Sequence, residues 1–95
     1  MTKLVIAKHA RSDLDEIWFY IAQDSIDAAD SVISRLLDKF TLLASQPLIG
    51  RERPEIAAGI RSFAVNAYVV FYRYADGAVE IARVIHGARD IERVI

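Results

Sequence analysis

Two runs of β-branched and aromatic residues, Tyr68-Val69-Val70-Phe71-Tyr72-Arg73-Tyr74 and Val79-Glu80-Ile81-Ala82-Arg83-Val84-Ile85, flank Asp76-Gly77. Asp-Gly between two such runs is a strong short-range hairpin signal, because a type I′ turn needs positive φ at both central residues. With Asp76-Gly77 as the loop, Ala75 faces Ala78 and Arg73 faces Glu80. Opposite charges directly across a ladder contribute about 0.2–1 kcal/mol. An uninterrupted register puts Val69, Phe71, Arg73, Glu80, Ala82 and Val84 on one face. It puts Tyr68, Val70, Tyr72, Tyr74, Val79, Ile81, Arg83 and Ile85 on the other. Both faces are largely apolar. Helices on one side would leave the other exposed, and that surplus points to a partner.

The rest of the chain supplies the helices. Leu4-Val5-Ile6-Ala7 reads as a short strand. Leu14, Ile17, Trp18 and Ile21 share one helical face and predict a helix from about Ala10 to Gln23. Asp13, Asp15 and Glu16 then fall early in it, where they complement the positive end of its dipole. Ser25 or Asp27 caps a second helix, from about Ala28 to Ala44. Its apolar face carries Ala29, Val32, Ile33, Leu36, Leu37, Phe40 and Leu43 or Ala44. Two amphipathic helices with a short connection make an antiparallel helical hairpin, which must cover a sheet. Pro47 and Gly50 mark a loop, and Arg51-Glu52-Arg53-Pro54 continues it as a solvated connection. Ile60-Arg61-Ser62-Phe63 is a short strand. The order is β-α-α-β-β-β: an α+β fold with a helical hairpin on one face of a small, mainly antiparallel sheet of about four strands.

Composition narrows the function classes. The chain has 95 residues, 54% of them hydrophobic and 26% charged. That describes a single domain spanning 1–95, able to build a core. A domain this small buries only roughly 60–65% of its unfolded surface, so a partner that binds the folded state would add stability. There are no cysteines, which excludes disulfides and thiolate chemistry and fits a cytoplasmic protein. His9 and His86 have no metal-ligand spacing, and no cofactor is expected. No apolar run has the length of a signal peptide or a membrane span. The net charge of −1 gives no general attraction to nucleic acid, so direct nucleic-acid binding is not expected.

Several pieces taken in order resemble the ParE branch of the RelE/ParE toxin superfamily. They are Ala10-Arg11-Ser12-Asp13-Leu14-Asp15-Glu16-Ile17, Ala28-Ala29, Pro47-x-x-Gly50-Arg51, Gly59-Ile60-Arg61-Ser62-Phe63, Tyr68-Val69-Val70-Phe71-Tyr72-Arg73 and Arg83-Val84-Ile85-His86-Gly87-Ala88-Arg89-Asp90. Each alone is weak; their order and spacing make the set strong over nearly the whole chain. The resemblance implies the toxin of a type II toxin–antitoxin pair, often called a plasmid stabilisation protein. It implies neutralisation by a cognate ParD-like antitoxin of the ribbon–helix–helix type. ParE-like members poison DNA gyrase without a catalytic step of their own; RelE-like members cleave messenger RNA on the ribosome.

Cleavage of RNA by 2′-hydroxyl attack needs a general base, a leaving-group acid and a cation for the charged phosphorane. Nuclease members commonly supply an arginine from the middle strand, and the matching position here is Val69. Their usual lysine richness is also missing. A nuclease reading would rest on His86 as acid–base, with Arg61 and Arg83 supplying charge. The bland reading of His86 is structural, its ring nitrogens bonded to nearby backbone in the turn at Gly87. Arg83 lies on an otherwise apolar face and must meet a partner protein or an internal carboxylate. Trp18 reads first as core, and Arg89 and Asp90 as the start of a helical turn to Ile95. Trp18, Arg61, Arg83, His86 and Arg89 are the candidate contacts for antitoxin or target. A gyrase-poisoning toxin is the expectation. The alternatives are a ribosome-dependent nuclease and an inactive member that only binds its antitoxin.

Overall fold

The computed structural model describes residues 2–87. Arg89, Asp90 and the expected C-terminal helical turn lie outside the described residues. The elements in chain order are β1 (Lys3–Ile6), α1 (Lys8–Ala22), α2 (Ile26–Ser45), β2 (Arg51–Glu52), β3 (Ile60–Val65), β4 (Tyr68–Ala75) and β5 (Ala78–His86). The strands form one sheet in the order β1-β5-β4-β3-β2. β1 runs parallel to β5, and the other pairs are antiparallel. The expected fold is present with five strands instead of about four. The additional strand is β2, a two-residue edge inside the segment read as a solvated connection.

Local chemistry explains most boundaries. Of the two expected caps, Ser25 and Asp27, it is Ser25 that caps α2, its Oγ accepting the Ala28 N–H at 3.1 Å, and the helix starts at Ile26, two residues before the expected Ala28. α1 begins at Lys8, two residues earlier than its periodicity suggested, with Ala7 as a cap that offers no side-chain bond. The Ala7 N–H still donates to Ile81 O at 2.9 Å while its carbonyl already accepts from Arg11. One residue thus ends the strand ladder and starts the helix. Asp13 therefore lies in the second turn and no acidic residue lies in the first, which corrects the dipole argument for it. β3 and β4 join through Asn66-Ala67, with Asn66 at φ 53°.

The main core lies between the helical hairpin and the sheet. Ile17, Leu36, Phe40 and Leu43 pack on Val65, Val70, Tyr72, Val79, Ile81 and Val84. Burial at this density is the main favourable term in folding, about 1.5–3 kcal/mol per large side chain. Leu37, placed on the buried stripe by sequence, is 41% exposed. Trp18 is half-buried and its Nε1 donates to Asp30 Oδ1 at 2.8 Å, tying α1 to α2.

The opposite face of the sheet is covered in part by the chain's own strap, residues 53–59. Ile56 and Ala57 pack on Ile60, Phe71 and Ile85. Arg53 anchors the strap: its Nη1 donates to Ser62 Oγ at 3.1 Å and its Nε to Glu55 Oε2 at 2.7 Å. Its guanidinium also stands 6.0 Å from the centre of the Phe71 ring. The hydrogen bond from Arg53 holds the exposed Glu55 carboxyl below its usual value. This cover, which the chain supplies itself, takes up part of the apolar surplus that pointed to a partner.

The hairpin turn is where the sequence placed it. Asp76 and Gly77 have φ 53° and 73°, and Arg73 stands opposite Glu80. The register does not stay uninterrupted. Tyr72 faces Ile81, but Phe71 faces Arg83, so Ala82 is an extra residue, a β-bulge. Beyond it the faces exchange. Val84 joins Tyr72 in the main core and Ile85 joins Phe71 on the strapped face, the reverse of the uninterrupted assignment.

Candidate functional site

The strapped face carries an open groove of about 480 Å³. Its lining is apolar at Ile56, Ala57, Ile60, Phe71 and Ala82 and charged at Lys8, Arg73, Glu80 and Arg83. The groove lies where β1 ends and α1 begins, because β1 pairs with β5 only as far as Ile6 opposite Ile81.

Arg83 meets a carboxylate. Its Nε donates to Asp13 Oδ2 at 2.8 Å and its Nη2 to Asp13 Oδ1 at 3.1 Å. This fork geometry matches guanidinium to carboxylate in two parallel bonds. Asp13 Oδ2 also accepts the Val84 backbone N–H at 2.9 Å. The Asp13 side chain is 11% exposed and that of Arg83 39%. The internal ion pair is thus present, and Arg83 still lines the groove.

Arg61 is engaged elsewhere. Its Nη1 donates to Gly50 O at 2.8 Å and Leu48 O at 3.3 Å, and its Nη2 lies 3.6 Å from Glu52. Tyr72 holds the same loop from inside: its hydroxyl donates to Pro47 O and accepts the Gly50 N–H, both at 2.8 Å. A Cβ on Gly50 would sit 2.6 Å from Tyr72 Cε1 and nearer still to Oη, so only glycine fits. Burial raises the Tyr72 hydroxyl above its usual pKa of 10.0, against the opposing pull of the Gly50 bond and the Arg61 charge. Pro47-x-x-Gly50 and Gly59-Ile60-Arg61 are therefore two sides of one clamp closed by Tyr72. Sequence reading did not single out Tyr72; the available signal was a phenol among aliphatic residues, which when buried needs a polar partner.

His86 stands opposite Tyr68, edge to face, with ring centres 5.6 Å apart. Its Nδ1 is buried with no hydrogen-bond partner among the described residues, so this nitrogen is not bonded to backbone as the structural reading proposed. The backbone bond at the turn is made by Gly87, whose N–H donates to Ala67 O at 2.9 Å. Along β4, His86 lies level with Tyr68 and Arg83 with Phe71, a separation of roughly 10 Å by strand rise. Arg61 is two strands away from β5. The structure does not bring these three residues to one point. Arg89 lies outside the described residues.

A helical hairpin laid on one face of a small mixed sheet is a fold already seen in a solved protein. A chain of the "Chromosomal ParDE TA system from P. aeruginosa" superposes with a TM-score of 0.77 at 20% identity, over 90% of this chain and 96% of that one. "Toxin ParE1" of Mycobacterium tuberculosis is 28% identical over 94 residues, covering 97% of this chain and 96% of the relative. "Toxin RelE2" of Caulobacter vibrioides is 38% identical over 91 residues, covering 94% and 99%. The profile of the ParE toxin of type II toxin–antitoxin systems, parDE, matches residues 4–91, and the chain belongs to that family. Among the described residues, no helix is long and apolar enough to cross a membrane.

Proposed function

We propose that this ParE-type chain acts in the cytoplasm as a single-domain toxin that binds its target, DNA gyrase, and does not cleave RNA. A ParD-like ribbon–helix–helix antitoxin holds it silent. The observation that supports binding over catalysis is how the candidate catalytic groups are used. Arg61 is bonded to the Leu48 and Gly50 carbonyls, and Arg83 to Asp13. Val69, at the position where nuclease members carry arginine, packs against the strapped-face cluster. Removing one stabiliser of developing charge costs about 10²–10³ in rate. Support for a protein partner comes from apolar side chains left in solvent: Phe19 at 65%, Ile26 at 59% and Leu48 at 64% exposure. The proposed contacts are Trp18, Arg61, Arg83, His86 and Arg89.

The test is purified toxin, freed of antitoxin, added to gyrase and supercoiled plasmid. Trapped cleavage complexes that yield linear DNA are the expected result, with messenger RNA left intact on treated ribosomes. The likeness to a relative named as a RelE toxin favours a second reading. Codon-positioned cuts in ribosome-bound RNA, abolished by His86→Ala, would establish that one instead. Silence in both assays, with tight antitoxin binding retained, would mark an inactive member. Binding itself is expected in the nanomolar range or tighter, about −12 kcal/mol, read by co-expression with the neighbouring gene product and size exclusion.

A further inference from the structure

β5 has two registers open to it, and its apolar residues do not distinguish them well. In the observed ladder Phe71 faces Arg83, Val70 faces Val84, Val69 faces Ile85 and Tyr68 faces His86. Without the bulge, Phe71 would face Ala82 and Val69 would face Val84, and Tyr68 would face Ile85. A one-residue slip moves each side chain to the other face, and here the slip trades one β-branched residue, Val84, for another, Ile85. Polar groups, and not the apolar pattern, must then settle the register.

We infer that Asp13 is a positioning residue that selects the bulged register of β5 and thereby places Arg83 and His86. Its carboxylate reaches both groups that the bulge displaces. It accepts the Val84 N–H at 2.9 Å, a donor in the stretch where the bulge breaks the ladder. It also receives the Arg83 fork at 2.8 and 3.1 Å, holding in place a side chain that lines the groove. In the straight register Arg83 would follow Val70 toward the main core, where Val70 is 0% exposed, and a charge is costly there. Asp13 sits on α1, which packs on β5, so seating the helix and choosing the register are one event. This inference does not depend on what the toxin binds.

Cross-strand NMR contacts in the isotope-labelled full chain decide it. Wild type should show Phe71–Arg83 and Tyr68–His86 contacts. Asp13→Ala should bring in Phe71–Ala82 and Tyr68–Ile85 contacts and speed exchange of the Val84 amide by roughly tenfold or more. Deleting Ala82 removes the extra residue, so the ladder should run straight with Phe71 still opposite Arg83. Asp13→Ala in that deletion background should then leave the contacts unchanged. If burial of Arg83 alone excluded the straight register, Asp13→Ala in the full-length chain would keep every wild-type contact, and that result overturns the inference. An equal drop in thermal midpoint from Asp13→Ala in both backgrounds, with no change of partners, overturns it too. Should Asp13→Ala fail to fold in the full-length chain, the deletion background decides: recovery supports the selecting role and failure refutes it.

Discussion

Leu36, Phe40 and Leu43 close one face of the sheet, and Ile56 and Ala57 cover part of the other. The first cover is two amphipathic helices of 15 and 20 residues, joined by a capped turn. The second is an irregular strap held by Arg53 through Ser62, Glu55 and the Phe71 ring. Both leave their central aromatic buried: Phe40 is 0% and Phe71 1% exposed. The difference is in what surrounds that residue. Behind Phe40 stand helices that cannot move without unseating the hairpin. Behind Phe71 stand an open groove and a strap that can settle. An apolar sheet face is therefore poor evidence of a missing partner until the loops have been placed.

The largest expected effect measures this contrast directly. Phe40→Ala should cost about 3–5 kcal/mol, since a cavity under two helices relaxes little. Phe71→Ala should cost less, about 3 kcal/mol, the low end of that range, because the strap can collapse into the space. Denaturant unfolding of both variants checks it, and equal losses would break the comparison. Gly50→Ala tests the clamp where the helix-side loop meets the sheet. The added methyl collides with a phenol fixed on both sides by hydrogen bonds, so a loss of about 2–3 kcal/mol is expected in the same assay.

Tyr72→Phe keeps the ring and removes both hydroxyl bonds, at about 1–3 kcal/mol. It also sharpens the comparison through pH. The Tyr72 pKa is raised in the folded state above 10.0. Its contribution is therefore fully present below the unfolded value and is lost as pH rises through the folded value. The stability gap between wild type and Tyr72→Phe should narrow above about pH 10; a gap in thermal midpoint that stays constant into alkaline solution would contradict the account. The smallest effect belongs to a site that touches neither face. A Cβ on Gly77 meets nothing within 4 Å, so Gly77→Val should cost only its positive φ, about 1–2 kcal/mol. A much larger loss would mean that the turn is packed after all.

Short-range chemistry was legible in the residues themselves. Ser25 and Asp27 announce the start of α2 to within two residues, the 3.6-residue spacing of Leu36, Phe40 and Leu43 announces its buried face, and Asp76-Gly77 announces the turn and its first pairs. These are decided within a few residues, and so the α+β architecture and the family resemblance were readable in advance. The start of α1 was not, because Ala7 caps it with no side-chain bond and only the β5 strand beside it shows where the ladder stops. The strap was not, because it has no period to detect. Tyr72 as the closure of the Pro47–Gly50 clamp and the face of Val84 were not either, because each depends on a distant group. The carboxylate that meets the Val84 N–H belongs to a residue 71 positions earlier. Local sequence sets which backbone conformations are cheap. The face that Val84 takes is visible only in the folded chain, where the bulge at Ala82 shifts the ladder and the Asp13 carboxylate on α1 meets the displaced N–H.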